Sequence, residues 1–236
     1  MWLASHMNIS RSAAQEIIKS GHVEVNGKAF LKPGIVLPKA ADININSKGR
    51  KFVGRGGDKL DAALSAFEID VKGRICLDVG ASTGGFTDCL LKRGAAKVYA
   101  IENGKDQLAA SLLANPQVVS MEETDIRNAV KEWFDEPISF AAVDVSFISL
   151  TKVLEPMKKI LAEGAELVCL IKPQFEVGKA QLSKRGIVRN PKARLSAVEE
   201  VNRFSQALGF KYISLVSTTL GLEKNKNQEF LVHYKN

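Results

Sequence analysis

The residues able to do chemistry stand where apolar runs end. In CLDVGASTGGFTDCLL, residues 76–91, an apolar run carries Asp78 and opens into a turn holding Gly80, Ser82, Gly84 and Gly85. Phe86 then starts a helical pattern. Glycines let backbone approach a ligand, and free N–H groups at a helix start favour a carboxylate or another anion. The spacing is neither the G-x-G-x-x-G dinucleotide fingerprint nor the G-x-x-x-x-G-K-[ST] phosphate loop, so the two most familiar nucleotide readings fail. A tight strand–helix turn without a ligand is the plainer alternative. Glu102 closes the next apolar run, where an acid commonly accepts hydrogen bonds from ribose hydroxyls. Asp125, in TDIR, could receive an adenine amino group or simply cap a helix. Asp144 follows the apolar start of AAVDVSFISL, and Lys172 ends the apolar part of LVCLIKPQFE. A carboxylate at such depth is costly unless paired or bound. If these run ends face one crevice, Asp144 and Lys172 would pair, either as working groups or as a structural salt bridge. Lys59 sits in GRGGDKL, where a helix begins, and Glu229 in NQEFLV, where the last strand begins.

These residues need a scaffold that gathers strand ends. Apolar strands expected at 74–79, 97–101, 117–120, 138–144 and 166–171 alternate with helices expected at 85–93, 105–114, 126–134 and 149–162. An earlier helix covers 59–67. The alternation predicts an α/β fold with a parallel, doubly wound sheet, whose ligands bind beyond the carboxyl ends of the strands. Residues 173–190 read as a long basic loop, and a helix follows at 191–208. Strands at 210–217 and 229–235 follow with no helix between them, so they should form an antiparallel hairpin at the sheet edge. Before the sheet lies a small α+β module at 1–47. There Ser10 caps a helix ended by Gly21, a strand starts at His22, Asn26-Gly27 makes a hairpin turn, and a second strand spans Ile43–Ile45. Residues 48–57 read as a basic, glycine-rich linker, and 58–236 as the sheet domain.

Composition sets the outer bounds. The chain has 236 residues, 45% hydrophobic and 25% charged, as in ordinary globular proteins. No apolar run reaches the roughly 20 residues that span a bilayer, so no stable membrane insertion is expected. No secretory signal is visible at the start, which points to the cytoplasm. The three cysteines Cys76, Cys89 and Cys169 lack C-x-x-C spacing and read as reduced core residues, with no metal site. The net charge of +7 is uneven: residues 1–59 hold 10 Lys and Arg against 4 acids, and 172–194 hold 7 against Glu176 alone. Two basic regions on an otherwise acidic body suit a polyanion, and with these motifs a nucleic acid.

Taken together, the motifs resemble the TlyA family, called hemolysins and also ribosomal RNA 2′-O-ribose methyltransferases. GRGGDKLDAAL, CLDVGASTGGFTD, DVSFISL, LIKPQFEVGK and NQEFL look like that family's blocks, in its order. Residues 8–47 resemble the RNA-binding module shared by some ribosomal proteins and pseudouridine synthases. The sheet domain is similar to the cell-division-type heat-shock RNA methyltransferases, so a Rossmann-like methyltransferase domain is implied. The resemblance implies S-adenosylmethionine as methyl donor, held by Asp78, Gly80, Ser82, Gly84, Gly85, Phe86, Glu102 and Asp125. It also implies a catalytic Lys59, Asp144, Lys172 and Glu229 tetrad. Glu102 stands where such enzymes usually hold an Asp, and Asp125 where an Asn is common. The module departs from the pattern at its start. MWLASHMNISRS replaces an Arg-Leu-Asp type segment, so the first helix is expected to be short or missing, as if truncated.

The implied reaction is methyl transfer from a sulfonium to a ribose 2′-oxygen, with Lys172 activating or aiming the hydroxyl. Ribosomal RNA or ribosomal subunits would be the partner. They would be met by Arg11, Lys19 and Lys28 of the module, by Arg50, Lys51 and Arg55 of the linker, and by Lys179, Lys184, Arg185 and Arg189 of the basic loop. Two other readings stand beside this one: an RNA-binding protein with a methyltransferase fold but no catalysis, and a membrane-active hemolysin.

Overall fold

The structure, a computed structural model, describes residues 2–7, 11–19, 23–38, 40–45, 51–218 and 227–236. The chain divides into two compact units, residues 1–50 and 51–236.

In the first unit, α1 (Trp2–Met7) and α2 (Arg11–Lys19) precede β1 (Val23–Val25), β2 (Lys28–Ala29) and β3 (Ile43–Ile45). The first helix is therefore short but present. The strands form an antiparallel sheet in the order β2-β1-β3. Asn26 and Gly27 both take positive φ, 52° and 73°, as the primed turn of a two-residue hairpin requires. Leu3, Ala14 and Val23 make the buried centre, with Ile17, Ile18, Phe30 and Ile45 against it. The expected cap at Ser10, stop at Gly21 and strand start at His22 lie outside the described residues.

The second unit opens with α3 (Arg55–Ala66), β4 (Ile75–Val79), α4 (Gly85–Lys92), β5 (Lys97–Ile101), α5 (Ala110–Leu113) and β6 (Val118–Met121). It continues with β7 (Ile138–Val143), α6 (Thr151–Ile160), β8 (Leu161–Ile171), α7 (Pro173–Glu176), α8 (Pro191–Ala207), β9 (Lys211–Ser217) and β10 (Phe230–Lys235). The sheet order is β6-β5-β4-β7-β8-β10-β9. Strands β4 to β8 pair in parallel, and β10 runs antiparallel to both β8 and β9. The closing strands thus form the expected antiparallel pair, with β9 outermost. The chain winds outward from β4 through β5 to β6 and then restarts on the other side at β7. That reversal opens a crevice beyond the ends of β4 and β7, the usual ligand position in such sheets.

Successive strand residues alternate between two apolar layers. Cys76, Val98, Phe140, Val168 and Leu231 pack with Leu60, Leu64 and Leu90 of α3 and α4. Leu77, Ile101, Val143, Cys169 and Val232 pack with Leu154, Met157 and Val201 of α6 and α8. The cysteines are free and buried, and burial pushes the Cys76 and Cys89 thiols up to about 12.

Three expected helices are shorter than their apolar patterns, each for a local reason. The helix expected at 105–114 is reduced to α5. The Glu122 carboxylate accepts the backbone N–H groups of Asp106, Gln107 and Leu108 at 2.9, 2.7 and 2.9 Å, so they need no helical partner. The helix expected at 126–134 is two 3-10 turns, Ile126–Asn128 and Lys131–Trp133, separated by extended backbone at Ala129 and Val130. The helix expected at 149–162 stops at Ile160, because Leu161 already pairs with Ile138 at the start of β8. Part of the stretch read as linker is packed: Phe52 is buried and α3 begins at Arg55.

Candidate active site

The turn after β4 is shaped by contacts that leave no room for side chains. Gly80 has φ 85°, and a Cβ there would lie 2.6 Å from the Asp144 carbonyl oxygen. Its N–H donates to Ile101 O, as does that of Ala81, which fastens the turn to β5. Ser82 also takes positive φ, 49°. Its N–H donates to Glu102 Oε2 at 2.9 Å, while Gly104 N–H donates to Oε1 at 2.8 Å. Glu102 thereby holds the turn and its own loop together, with lone pairs left over.

Asp78 is fully buried behind the turn. Its Oδ2 accepts from Thr87 N at 2.8 Å and Thr87 Oγ1 at 2.6 Å, fixing the first turn of α4. Its Oδ1 has no hydrogen-bond partner. Burial pushes this carboxyl up to about 7, with the Asp144 and Glu102 charges adding and the Thr87 bonds opposing.

The remaining predicted residues of this block serve packing. A Cβ on Gly84 would lie 2.1 Å from Leu112 Cδ1, and one on Gly85 would lie 3.0 Å from Gly57 N and 3.2 Å from Gly54 O. The starts of α3 and α4 therefore cross backbone against backbone. Gly54, Gly56 and Gly57, part of GRGG, are the counterpart that the sequence reading passed over. Phe86 is buried beneath Gly56.

At the same end of the sheet lie β7, β8 and β10, neighbours in that order. Asp144 follows β7 and Lys172 follows β8. Because β10 is antiparallel, its beginning meets the end of β8: Phe230 pairs with Ile171, so Glu229 comes level with Lys172. Lys172 Nζ is 2.5 Å from Asp144 Oδ1 and donates to Ser146 Oγ at 2.8 Å. Lys59 Nζ is 2.6 Å from Glu229 Oε2. A Cβ on Gly56 would lie 3.8 Å from Asp144 Oδ2, so the first turn of α3 borders the first pair while Lys59, on that same helix face, makes the second. Two ion pairs thus stand side by side, and the Lys172 side chain is only 9% exposed.

A cleft of about 1080 Å³ lies over these strand ends, bordered by Gly80, Ser82, Glu102, Asp125, Asp144 and Phe147. A cleft of that size suits a nucleoside-sized ligand. Asp78, Gly84, Gly85 and Phe86 lie behind its wall. Asp125 borders the cleft and also caps a 3-10 turn, accepting Arg127 N–H at 3.0 Å and the Arg127 guanidinium. The hydrogen-bonded Arg127 side chain holds its carboxyl below the ordinary range. On the far rim, Phe147 is 91% exposed with φ 65°, its ring 5.1 Å from that of Phe175. The residues present fit a nucleoside-bearing cofactor: Gly80 keeps its turn close, and Glu102, just after β5, borders the cleft with acceptor lone pairs to spare.

The predicted RNA contacts are exposed cations. Lys179, Lys184, Arg185 and Arg189 follow α7, and Lys179 borders the cleft. Lys51 pairs with Asp61 at 2.5 Å. Arg55 begins α3, and Arg11 and Lys28 are exposed in the first unit. Arg50 and the Lys19 side chain lie outside the described residues. Among the described residues, no helix is long and apolar enough to cross a membrane.

Residues 52–236 match the FtsJ-like methyltransferase family, and residues 1–38 match the S4 domain. A 16S/23S rRNA (cytidine-2′-O)-methyltransferase of Mycobacterium tuberculosis is 41% identical over 212 residues, 89% of this chain and 79% of that protein. Hemolysin A of Brachyspira hyodysenteriae is 41% identical over 228 residues, 95% of this chain and 93% of that one. A solved structure described as a hemolysin of Streptococcus thermophilus superposes with TM-score 0.81 at 38% identity, covering 96% of this chain and 83% of that one. Solved neighbours of much lower identity include S-adenosylmethionine-dependent methyltransferases and share the fold alone.

Proposed function

The chain belongs to the FtsJ-like methyltransferase family, and from that premise we propose that it methylates the 2′-hydroxyl of a ribose in ribosomal RNA, with S-adenosylmethionine as donor. The observation that carries this reading is the Lys172–Asp144 pair beside the Lys59–Glu229 pair, at strand ends that adjoin the glycine turn. Gly80, Ser82, Glu102 and Asp125 would hold the donor along the cleft. Bound there, it would supply an electrophilic methyl group on a sulfonium. Lys172 and Asp144 would orient the attacking hydroxyl and take its proton as the new C–O bond replaces the C–S bond. Lys59 and Glu229 would fix that pair from the α3 side. Because a sulfonium methyl is already reactive, positioning contributes a large share of the rate. The S4 domain and the cations after α7 would draw in the RNA, in ribosomal subunits or free, in the cytoplasm.

Titration calorimetry with S-adenosylmethionine, with NAD as control, is the first test. Micromolar binding of the first compound alone is expected, followed by methyl transfer to ribosomal subunits. Lys172→Ala should keep donor affinity within about twofold and lose transfer by a factor on the order of a hundred or more. Turnover retained in that variant would remove Lys172 from the reaction. Donor binding without transfer to any ribosomal RNA would leave an RNA-binding protein with a methyltransferase fold.

A further inference from the structure

Two loops form the rim of the cleft away from the glycine turn. One, residues 144–150, leads from β7 to α6 and carries Asp144, Ser146 and Phe147. The other follows β8 and carries Lys172, Gln174, Phe175 and Glu176. Three contacts join them: Lys172 Nζ donates to Ser146 Oγ at 2.8 Å, Phe147 and Phe175 stand with ring centroids 5.1 Å apart, and Glu176 closes the far end. Its Oε2 accepts from Ser149 Oγ at 2.6 Å and its Oε1 from Leu150 N at 3.0 Å. Ser149 Oγ in turn accepts from Thr151 N at 3.2 Å, so the carboxylate sits at the positive end of α6.

The loop needs such a fastening. Phe147 is a bulky residue in the left-handed region, exposed on nearly all sides, and that conformation persists only when the surroundings impose it. A hydroxyl and a backbone N–H both aimed at one carboxylate supply that constraint four residues from Lys172. Burial raises the Glu176 carboxyl above the ordinary range, the Leu150 and Ser149 bonds oppose this, and the Glu200 charge on α8 adds to it. Among the described residues no cation pairs with this half-buried acid, and because Leu150 at the cap position of α6 offers no side-chain acceptor, Glu176 from the other loop takes that role.

We infer that Glu176 is a positioning residue for methyl transfer: it ties the Ser146–Phe147 segment to the Lys172 loop so that the substrate side of the cleft keeps its working shape. The inference rests on the reading of Lys172 given above. Donor binding, assigned to residues that follow β4, β5 and β6, should not depend on it.

The test uses the full chain with Glu176→Ala and Glu176→Gln, the latter keeping shape and one acceptor. For Glu176→Ala, methyl transfer at saturating RNA should fall about a hundredfold, as for small displacements of reacting groups, with donor affinity by calorimetry unchanged within about twofold. Glu176→Gln should recover part of the rate. Hydrogen exchange over residues 146–150 should accelerate in Glu176→Ala while β4 and β5 stay protected, a readout that needs no turnover. Wild-type turnover or unchanged exchange in Glu176→Ala overturns the inference. So does a parallel loss of donor binding and melting temperature in both variants, which would make Glu176 a plain stability residue. If the wild type itself transfers nothing to RNA, the methyltransferase reading falls first, and the exchange result alone decides whether Glu176 holds the loop.

Discussion

Asp78 is a carboxylate with no solvent and half its acceptors unused. Its carboxyl lies at about 7 against an ordinary 3.8, so the ionised form is the one the fold penalises. The sign follows directly. Below the ordinary value the group is protonated folded or unfolded and changes nothing. As pH rises from there through about 7, the unfolded chain ionises freely while the folded one resists, and stability is lost. Asp78→Asn keeps an acceptor for Thr87 and removes the charge. It should therefore be more stable than the parent at pH 8, by on the order of a few kcal/mol, and melt higher, with the gap closing near pH 4. Equal melting temperatures at both pH values would contradict this. Asp78, Glu102 and Asp144 were legible in the sequence as acids at the ends of apolar runs. Which partner each oxygen would take was not, because that depends on how the turns and loops come together in space, as with Glu102 and the N–H of Ser82, 20 residues apart.

At the scale of elements, four glycines carry one crossing. Read along the chain, GRGG looks like the end of a linker and TGG like part of a separate ligand turn. In three dimensions the backbone of Gly54, Gly56 and Gly57 at the start of α3 lies against Gly85 at the start of α4, while Gly84 packs on Leu112. Gly57→Ala would place its Cβ 2.4 Å from Phe52, a buried ring with no space to retreat. Urea denaturation should show a loss of about 1–3 kcal/mol or more, as for overpacked cores. An unchanged midpoint would mean the ring can shift. Strands were read to within a residue or two at β5, β6 and β7, since parallel strands buried on both faces are almost continuously apolar. Helices were read less well. Glu122 sequesters the amides of Asp106, Gln107 and Leu108, and no periodicity in 105–114 announces a partner at 122.

For the whole molecule the uneven charge is the leading feature. Cations concentrate in 1–59 and 172–194, and those after α7 are exposed along a stretch that begins at the cleft. If they meet RNA phosphates, counterion release should weaken binding steeply with salt, on the order of a thousandfold between about 50 and 200 mM. Filter binding to ribosomal RNA that stays flat over that range would contradict the assignment. The family and fold were legible because five sequence blocks fall in order. The packing of residues 51–57 was not, because a polar, glycine-rich segment looks the same in sequence whether it floats or is held by one buried phenylalanine.

The position of β10 has a consequence for how activity arises in time. This strand is synthesised after every other strand of its sheet, yet it lies between β8 and β9 and brings Glu229 level with Lys172. The residues proposed to hold the donor, from Gly80 to Asp125, emerge much earlier. On the roles proposed above, a nascent chain would become competent to bind before it is competent to react, and catalysis would switch on only when β10 threads into its slot. Turnover would then report that β10 has taken its place, whereas donor binding would not.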